Sequence, residues 1–225
     1  MQKHLITGIV GLLIGLAGGF IVANSINRSS LAETAASPNP TVNVTSEAAQ
    51  AVPQSAMLPD VNETLEKAEA EPQNFAVQMK TGDMYAKIGR FDKAAEYYKR
   101  GVVLNPNNFE GNIVLANALF DSQKFEEAEG YYSKALQINP KDVNARTDFG
   151  TTFVERPSPD YDRAIAEFRT ALETEPKHEP TLYYLGIAYF RKGEKDKATQ
   201  ALAELEKANP SSELVVRLKQ NLGVQ

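Results

Sequence analysis

The stretch Phe109-Glu-Gly-Asn-Ile-Val-Leu-Ala-Asn-Ala-Leu-Phe120, followed by a short turn and then Phe125-Glu-Glu-Ala-Glu-Gly-Tyr-Tyr-Ser-Lys-Ala-Leu-Gln-Ile-Asn-Pro140, decides how this chain folds. On both sides of the turn the apolar residues recur at three- and four-residue intervals, the period of an amphipathic helix. Pro140 ends the second helix, because it has no N–H to donate and its ring clashes with the preceding turn. The unit 109–142 is thus a pair of short helices, and the same grammar recurs around it. Prolines fall at 72, 106, 140, 176 and 210, spaced 34, 34, 36 and 34 residues. Alanines fall at 94, 128, 164 and 198, and a glycine or alanine at 82, 116, 150 and 186. A fixed period of this size marks a repeat architecture, in which each unit buries its apolar face only by stacking on a neighbour.

Composition narrows the function. The formal net charge of −5 is unevenly spread. Residues 29–70 hold six acids and one base, whereas 71–225 hold 23 acids and 21 bases. The repeat region is therefore close to neutral and lacks the basic stripe that nucleic-acid binding requires. With no cysteine in the chain, disulfides, thiolate catalysis and cysteine metal sites are excluded. No phosphate-cradling glycine loop, nucleophile elbow or zinc-protease helix occurs. The two histidines, His4 and His178, are far apart in sequence. Neither an enzymatic activity nor a bound cofactor is expected.

Residues 5–26 carry no charge and are predominantly apolar. About 20 such residues at a 1.5 Å rise span a hydrocarbon core of about 30 Å. A single transmembrane helix within residues 1–28 is expected, retained as a signal anchor. The alternative is a signal peptide cleaved near Ser25, although an h-region is commonly only about 7–15 residues. Gly11, Gly15 and Gly19 repeat every four residues and line one helix face, where small residues let a second membrane helix approach closely. Self-association through that face is a second expectation. Lys3 and Arg28 flank the span, and no further base occurs before Lys67, which favours translocation of the C-terminal side. The repeats are accordingly expected outside the cytoplasm, in the periplasm of a bacterial cell; a cytoplasmic placement is the alternative.

Residues 29–59 are rich in Ser, Ala, Thr, Asn and Pro and cannot bury enough surface to offset their ordering entropy. They read as a tether, with a reach of roughly 30 Å as a flexible coil. Asp60-Val-Asn-Glu63 resembles a capping pair and opens a short lead-in helix over 60–71. This helix is either half of a degenerate repeat or a frayed lead-in.

The repeats over 72–225 resemble the tetratricopeptide (TPR) family. Gly82-x-x-Tyr85, Gly89-x-Phe91, Ala94, Tyr98 and Pro106 carry the pattern in the first copy. Leu115-Ala116-x-x-Leu119, Phe125, Ala128, Tyr132, Ala135 and Pro140 carry it in the second. The third has Phe149-Gly150-x-x-Phe153, Tyr161, Ala164, Phe168, Ala171 and Pro176, and the fourth Leu185-Gly186-x-x-Tyr189, Gly193, Ala198, Leu202 and Pro210. The family's early tryptophan is replaced by Gln78, Asn112, Arg146 and Leu182. The resemblance implies an all-α, right-handed superhelix of four helix pairs over about 75–108, 109–142, 143–178 and 179–212. Leu214, Leu218 and Leu222 at four-residue spacing add a capping helix over 211–222. Asn107, Asn108 and Asp142 are placed to cap the helices that follow them. The third copy holds two extra residues within Glu155-Arg-Pro-Ser-Pro-Asp160, in the turn between its helices.

The resemblance also implies a concave face lined by the first helix of each pair. Its positions are Met79, Asp83 and Ala86 in the first copy, and Ile113, Asn117 and Phe120 in the second. The third supplies Thr147, Thr151 and Val154, and the fourth Tyr183, Ile187, Phe190 and, at the edge, Arg191. TPR modules that hold acidic chaperone C-termini need lysines on this face, and none stands at the inner positions here. What remains is a moderately apolar groove suited to a protein or peptide partner, so a membrane-tethered adaptor is expected. The organisation resembles bacterial membrane TPR proteins of envelope assembly and cytochrome c biogenesis. A self-associating scaffold is the alternative. Because the chain lacks cysteine, a Ser37→Cys variant reports the topology: a membrane-impermeant thiol reagent should label it in intact cells, and labelling only after lysis would reverse the orientation.

Overall fold

The computed structural model describes residues 58–224. The transmembrane span expected within 1–28, its Gly11/Gly15/Gly19 face and nearly all of the tether over 29–59 lie outside them. Among the described residues, no helix is long and apolar enough to cross a membrane.

Among these residues ten helices follow one another without a strand. α1 spans Leu58–Ala70, α2 Phe75–Lys87, α3 Phe91–Leu104, α4 Phe109–Asp121 and α5 Phe125–Ile138. α6 spans Val143–Glu155, α7 Tyr161–Thr174, α8 Glu179–Lys192, α9 Lys195–Ala208 and α10 Glu213–Leu222. The strongest packing is within the four pairs α2/α3, α4/α5, α6/α7 and α8/α9, and each second helix then packs on the first helix of the next pair. The described part of the chain is an all-α solenoid.

The sequence sets the helix ends. Asn108 caps α4 by accepting from Gly111 N at 2.6 Å, and Asp142 caps α6 by accepting from Ala145 N at 2.8 Å. Asn107, one residue outside that geometry, caps nothing. Each second helix stops just short of the residue that precedes its proline. Asn105, Asn139, Glu175 and Asn209 are those residues, and they are extended, at φ/ψ of −138/79, −129/86, −130/90 and −154/97. The proline ring disfavours the helical conformation in the residue before it. α1 already includes Asp60, which therefore lies inside the helix rather than ahead of it.

The small residue of each first helix is where the pairs close. A Cβ on Gly82 would lie 2.4 Å from the Tyr98 ring, and one on Gly150 2.5 Å from the Phe168 ring. The rings occupy the space a side chain would need. Gly186 differs from expectation: its close neighbour is Leu218 of α10, at 2.7 Å, rather than the second helix of its own pair. The residue turning the chain between the helices of a pair has positive φ at Gly89 (73°), Gln123 (62°) and Gly193 (91°). Of these three only Gln123 carries a Cβ, at a cost of about 1 kcal/mol.

Three of the four positions that lack tryptophan hold polar groups that tie their first helix to what precedes it. Gln78 donates to Ala68 O at 2.9 Å and Glu71 O at 3.3 Å, and Asn112 to Pro106 O at 3.0 Å. Arg146 reaches Pro140 O at 2.8 Å and Glu167 at 2.7 Å. The bond from Gln78 shows what α1 is. It occupies the place of a second helix ahead of the first full pair, with Ala68 fully buried against α2. At the other end α10 occupies the place of a fifth first helix, burying Leu214, Val215 and Leu218.

Two glycine variants test the close approach. Gly150→Ala should destabilise the protein by about 1–3 kcal/mol in urea unfolding, because Phe168 must shift. Gly130→Ala, in the middle of α5 with open space around it, should stabilise it by about 0.5–1 kcal/mol.

Candidate functional site

The two layers of the stack differ. α6 meets α8 and α8 meets α10, while among the described residues no two second helices pack to that extent. The first helices therefore form the more crowded, inner layer.

Crowding is not uniform along that layer. Between α6 and α8 the facing residues are small: Thr147 and Thr181 approach with hydroxyl oxygens 2.6 Å apart. Thr147 donates its proton to Val143 O at 2.7 Å, so Thr181 donates to Thr147 and its oxygen accepts from His178 Nδ1 at 2.6 Å. This chain of three side chains straps the third pair to the fourth and fixes the His178 tautomer. Arg191 adds a second strap, 2.9 Å from Glu155. Burial pushes the Glu155 carboxyl up, and Arg191 pulls against it.

The structure consequently splits the thirteen inner-face residues. Thr147, Thr151, Val154, Tyr183 and Ile187 are buried within the tight half, and Phe120 is buried edge-on against Phe125, with ring centroids 5.2 Å apart. These six expected groove positions are taken up by packing within the stack, and their buried side chains offer a partner little surface. Tyr183 is further engaged by Asn221 of α10, whose amide donates to its hydroxyl at 3.3 Å. Met79, Ala86, Ile113, Asn117 and Phe190 are half-buried, and Asp83 and Arg191 are exposed. Five of these, Met79, Asp83, Ala86, Ile113 and Asn117, lie on α2 and α4.

That open half has fixed polar groups. The Tyr98 hydroxyl donates to Asp83 Oδ1 at 2.7 Å, and the Tyr132 hydroxyl donates to Asn117 Oδ1 at 2.5 Å. Both tyrosines are buried, 2 % and 1 % exposed, so the hydroxyls have no bulk water to turn to. Glu110 stands nearby on α4; neighbouring atoms strip part of its water and Asp142 and Asp83 repel its charge, holding its carboxyl above the usual range. Sequence reading placed these tyrosines in the repeat pattern and not among the inner-face residues. The signal was their common register, 34 residues apart, opposite Asp83 and Asn117.

Models of the tetratricopeptide repeat match residues 60–109, 85–143 and 159–222, more than half of the chain. The chain belongs to the tetratricopeptide-repeat family. Its TPR stack is similar to the crystal structure of MamA, at 23 % identity over 67 % of this chain and 86 % of that one, with a TM-score of 0.61. It is similar also to YrrB, described as a TPR protein with an unusual peptide-binding site, at 21 % identity over 73 % and 88 % of the two chains and a TM-score of 0.61. A thermophilic TPR protein of Thermus thermophilus gives 20 % identity over 73 % and 89 %, with a TM-score of 0.58. At these identities the likeness is one of fold. No curated protein sequence matches the chain.

The strap gives the TPR stack a pH dependence. Burial is the largest influence on His178 and lowers its pKa, with Glu175, Glu179 and Asp142 opposing more weakly. A group with a depressed folded pKa binds its proton more readily in the unfolded chain. Its stabilising effect is complete above about pH 6.5 and is lost as the pH falls through the folded value. Urea unfolding between pH 7.5 and 5.5 should therefore show a loss of stability that His178→Gln reduces.

Proposed function

We propose that this protein is a membrane-tethered, non-catalytic adaptor that holds a partner peptide or protein on the inner face of its first two repeats, outside the cytoplasm, in the assembly of an envelope complex. The observation that carries the reading is the open half of the inner layer. Met79 and Ile113 provide half-buried apolar surface, and Asp83 and Asn117 stand over it with their orientation fixed by buried tyrosines. Apolar anchors beside a few oriented polar groups suit recognition of a chain segment. Family membership supports a protein partner, and the peptide-binding site named for YrrB is support of the same kind. The tether and the orientation rest on the uncharged stretch 5–26 and its sparse flanking charges.

A photo-crosslinking residue placed at Ile113 in the native cell tests the site. It should yield a partner adduct that is absent with the same residue at Val103, which is 74 % exposed on α3. Equal adducts at both positions would remove the inner face from the function. The Gly11/Gly15/Gly19 register supports a self-associating scaffold as a second reading. Sedimentation of the full chain in detergent decides it, since a monomer would exclude the scaffold.

A further inference from the structure

The two tyrosine hydroxyls are not distributed at random. In the first and second repeats the second helix supplies Tyr98 and Tyr132 opposite Asp83 and Asn117. At the same places the third repeat has Phe168 opposite Thr151, and the fourth has Leu202 opposite Ile187. The hydroxyl is thus present in both repeats whose inner position is open to solvent and absent from both whose inner position is buried. If the hydroxyls served packing alone, the tight half would be the natural place for them.

The bonds fix what each inner residue shows a partner. Asn117 accepts at Oδ1 from Tyr132, so its amide nitrogen is turned the other way, with two N–H donors. Asp83 accepts at Oδ1 from Tyr98, and its second oxygen remains an acceptor. Glu110 lies within electrostatic reach of Asp83 and adds to the negative potential. No Lys or Arg nitrogen is within ion-pair distance of either acid among the described residues.

We infer that Tyr98 and Tyr132 are positioning residues for partner recognition, setting Asn117 to hold a main-chain carbonyl of an extended segment and Asp83 to hold a Lys or Arg of the same segment. This rests on the adaptor reading and names the chemistry of its partner. An anionic or purely apolar segment fits poorly: the first meets Asp83 and Glu110, and the second leaves the Asp83 carboxylate without a cation.

The immobilised full-length chain, panned against a library of random dodecamer peptides, tests the inference. Enriched peptides should share a Lys or Arg at one fixed position. Replacing that base by Gln should weaken binding about tenfold or more to the native chain, but little to Asp83→Asn. Tyr132→Phe keeps the ring against its neighbours and should weaken the same peptide several-fold, with the melting temperature recorded to separate loss of fold from loss of positioning. Tyr98→Phe should shrink the preference for Lys or Arg over Gln, a change in selectivity that a merely structural role would not produce. Peptides that bind without a preferred base, or whose affinity and selectivity are unchanged in both tyrosine variants, would overturn the positioning role and leave the adaptor standing. A library with no binder at all would overturn both.

Discussion

Everything in the repeat region depends on how closely two short helices can approach. None of the described helices exceeds 14 residues, a length at which an isolated helix is marginal in water. The helices persist because the pairs interlock; in the first and third an aromatic ring of the second helix lies where a side chain of the first is missing. Tyr98 on Gly82 and Phe168 on Gly150 are the clearest cases. The interlock buries the ring and leaves apolar surface that only the next pair can cover, so local packing makes a stack obligatory. The same contact serves the candidate site, because the ring that fills the gap at Gly82 carries the hydroxyl that holds Asp83.

Most of this architecture could be read from residue spacing. A 34-residue period, broken once by two residues, set the number of pairs and the places where helices end. Proline positions were legible because their effect is local: the preceding residue is pushed out of the helix, whatever surrounds it. The period also assigned the small residues their role, and Gly82 and Gly150 fill it. Gly186 escaped because its neighbour Leu218 comes from the terminal helix, which lies outside the repeating part of the sequence. The half-repeat at the start was likewise ambiguous, since what identifies α1 is a bond from Gln78 to carbonyls seven and ten residues back.

The inner face was legible as a set of positions and illegible as a surface. Family register locates Thr151 and Ile187 as readily as Asp83 and Asn117, but exposure depends on how tightly neighbouring first helices pack. That tightness follows from small facing residues, Thr147 against Thr181, one repeat apart. Phe120 illustrates the same limit: its register is right, but a ring contact with Phe125 takes it out of solvent. Registers say which residues could meet a partner, and side-chain volume across the layer says which of them stay open to solvent.

The unequal tightness of the two halves also bears on motion. In a quasi-one-dimensional stack, opening starts where nearest-neighbour contacts are weakest and spreads along the array. The threonine–histidine strap and the Arg191–Glu155 pair join the third and fourth repeats, and among the described residues they have no counterpart between α2 and α4. The repeat stack is thus graded in stiffness: a firm carboxyl half serves as a base, and the amino-terminal end is the more yielding one. A segment that docks there joins α2 to α4 as the strap joins α6 to α8. Its arrival would extend the rigid part of the rod toward the amino terminus, turning an encounter at one surface into a change in mechanical compliance along the molecule.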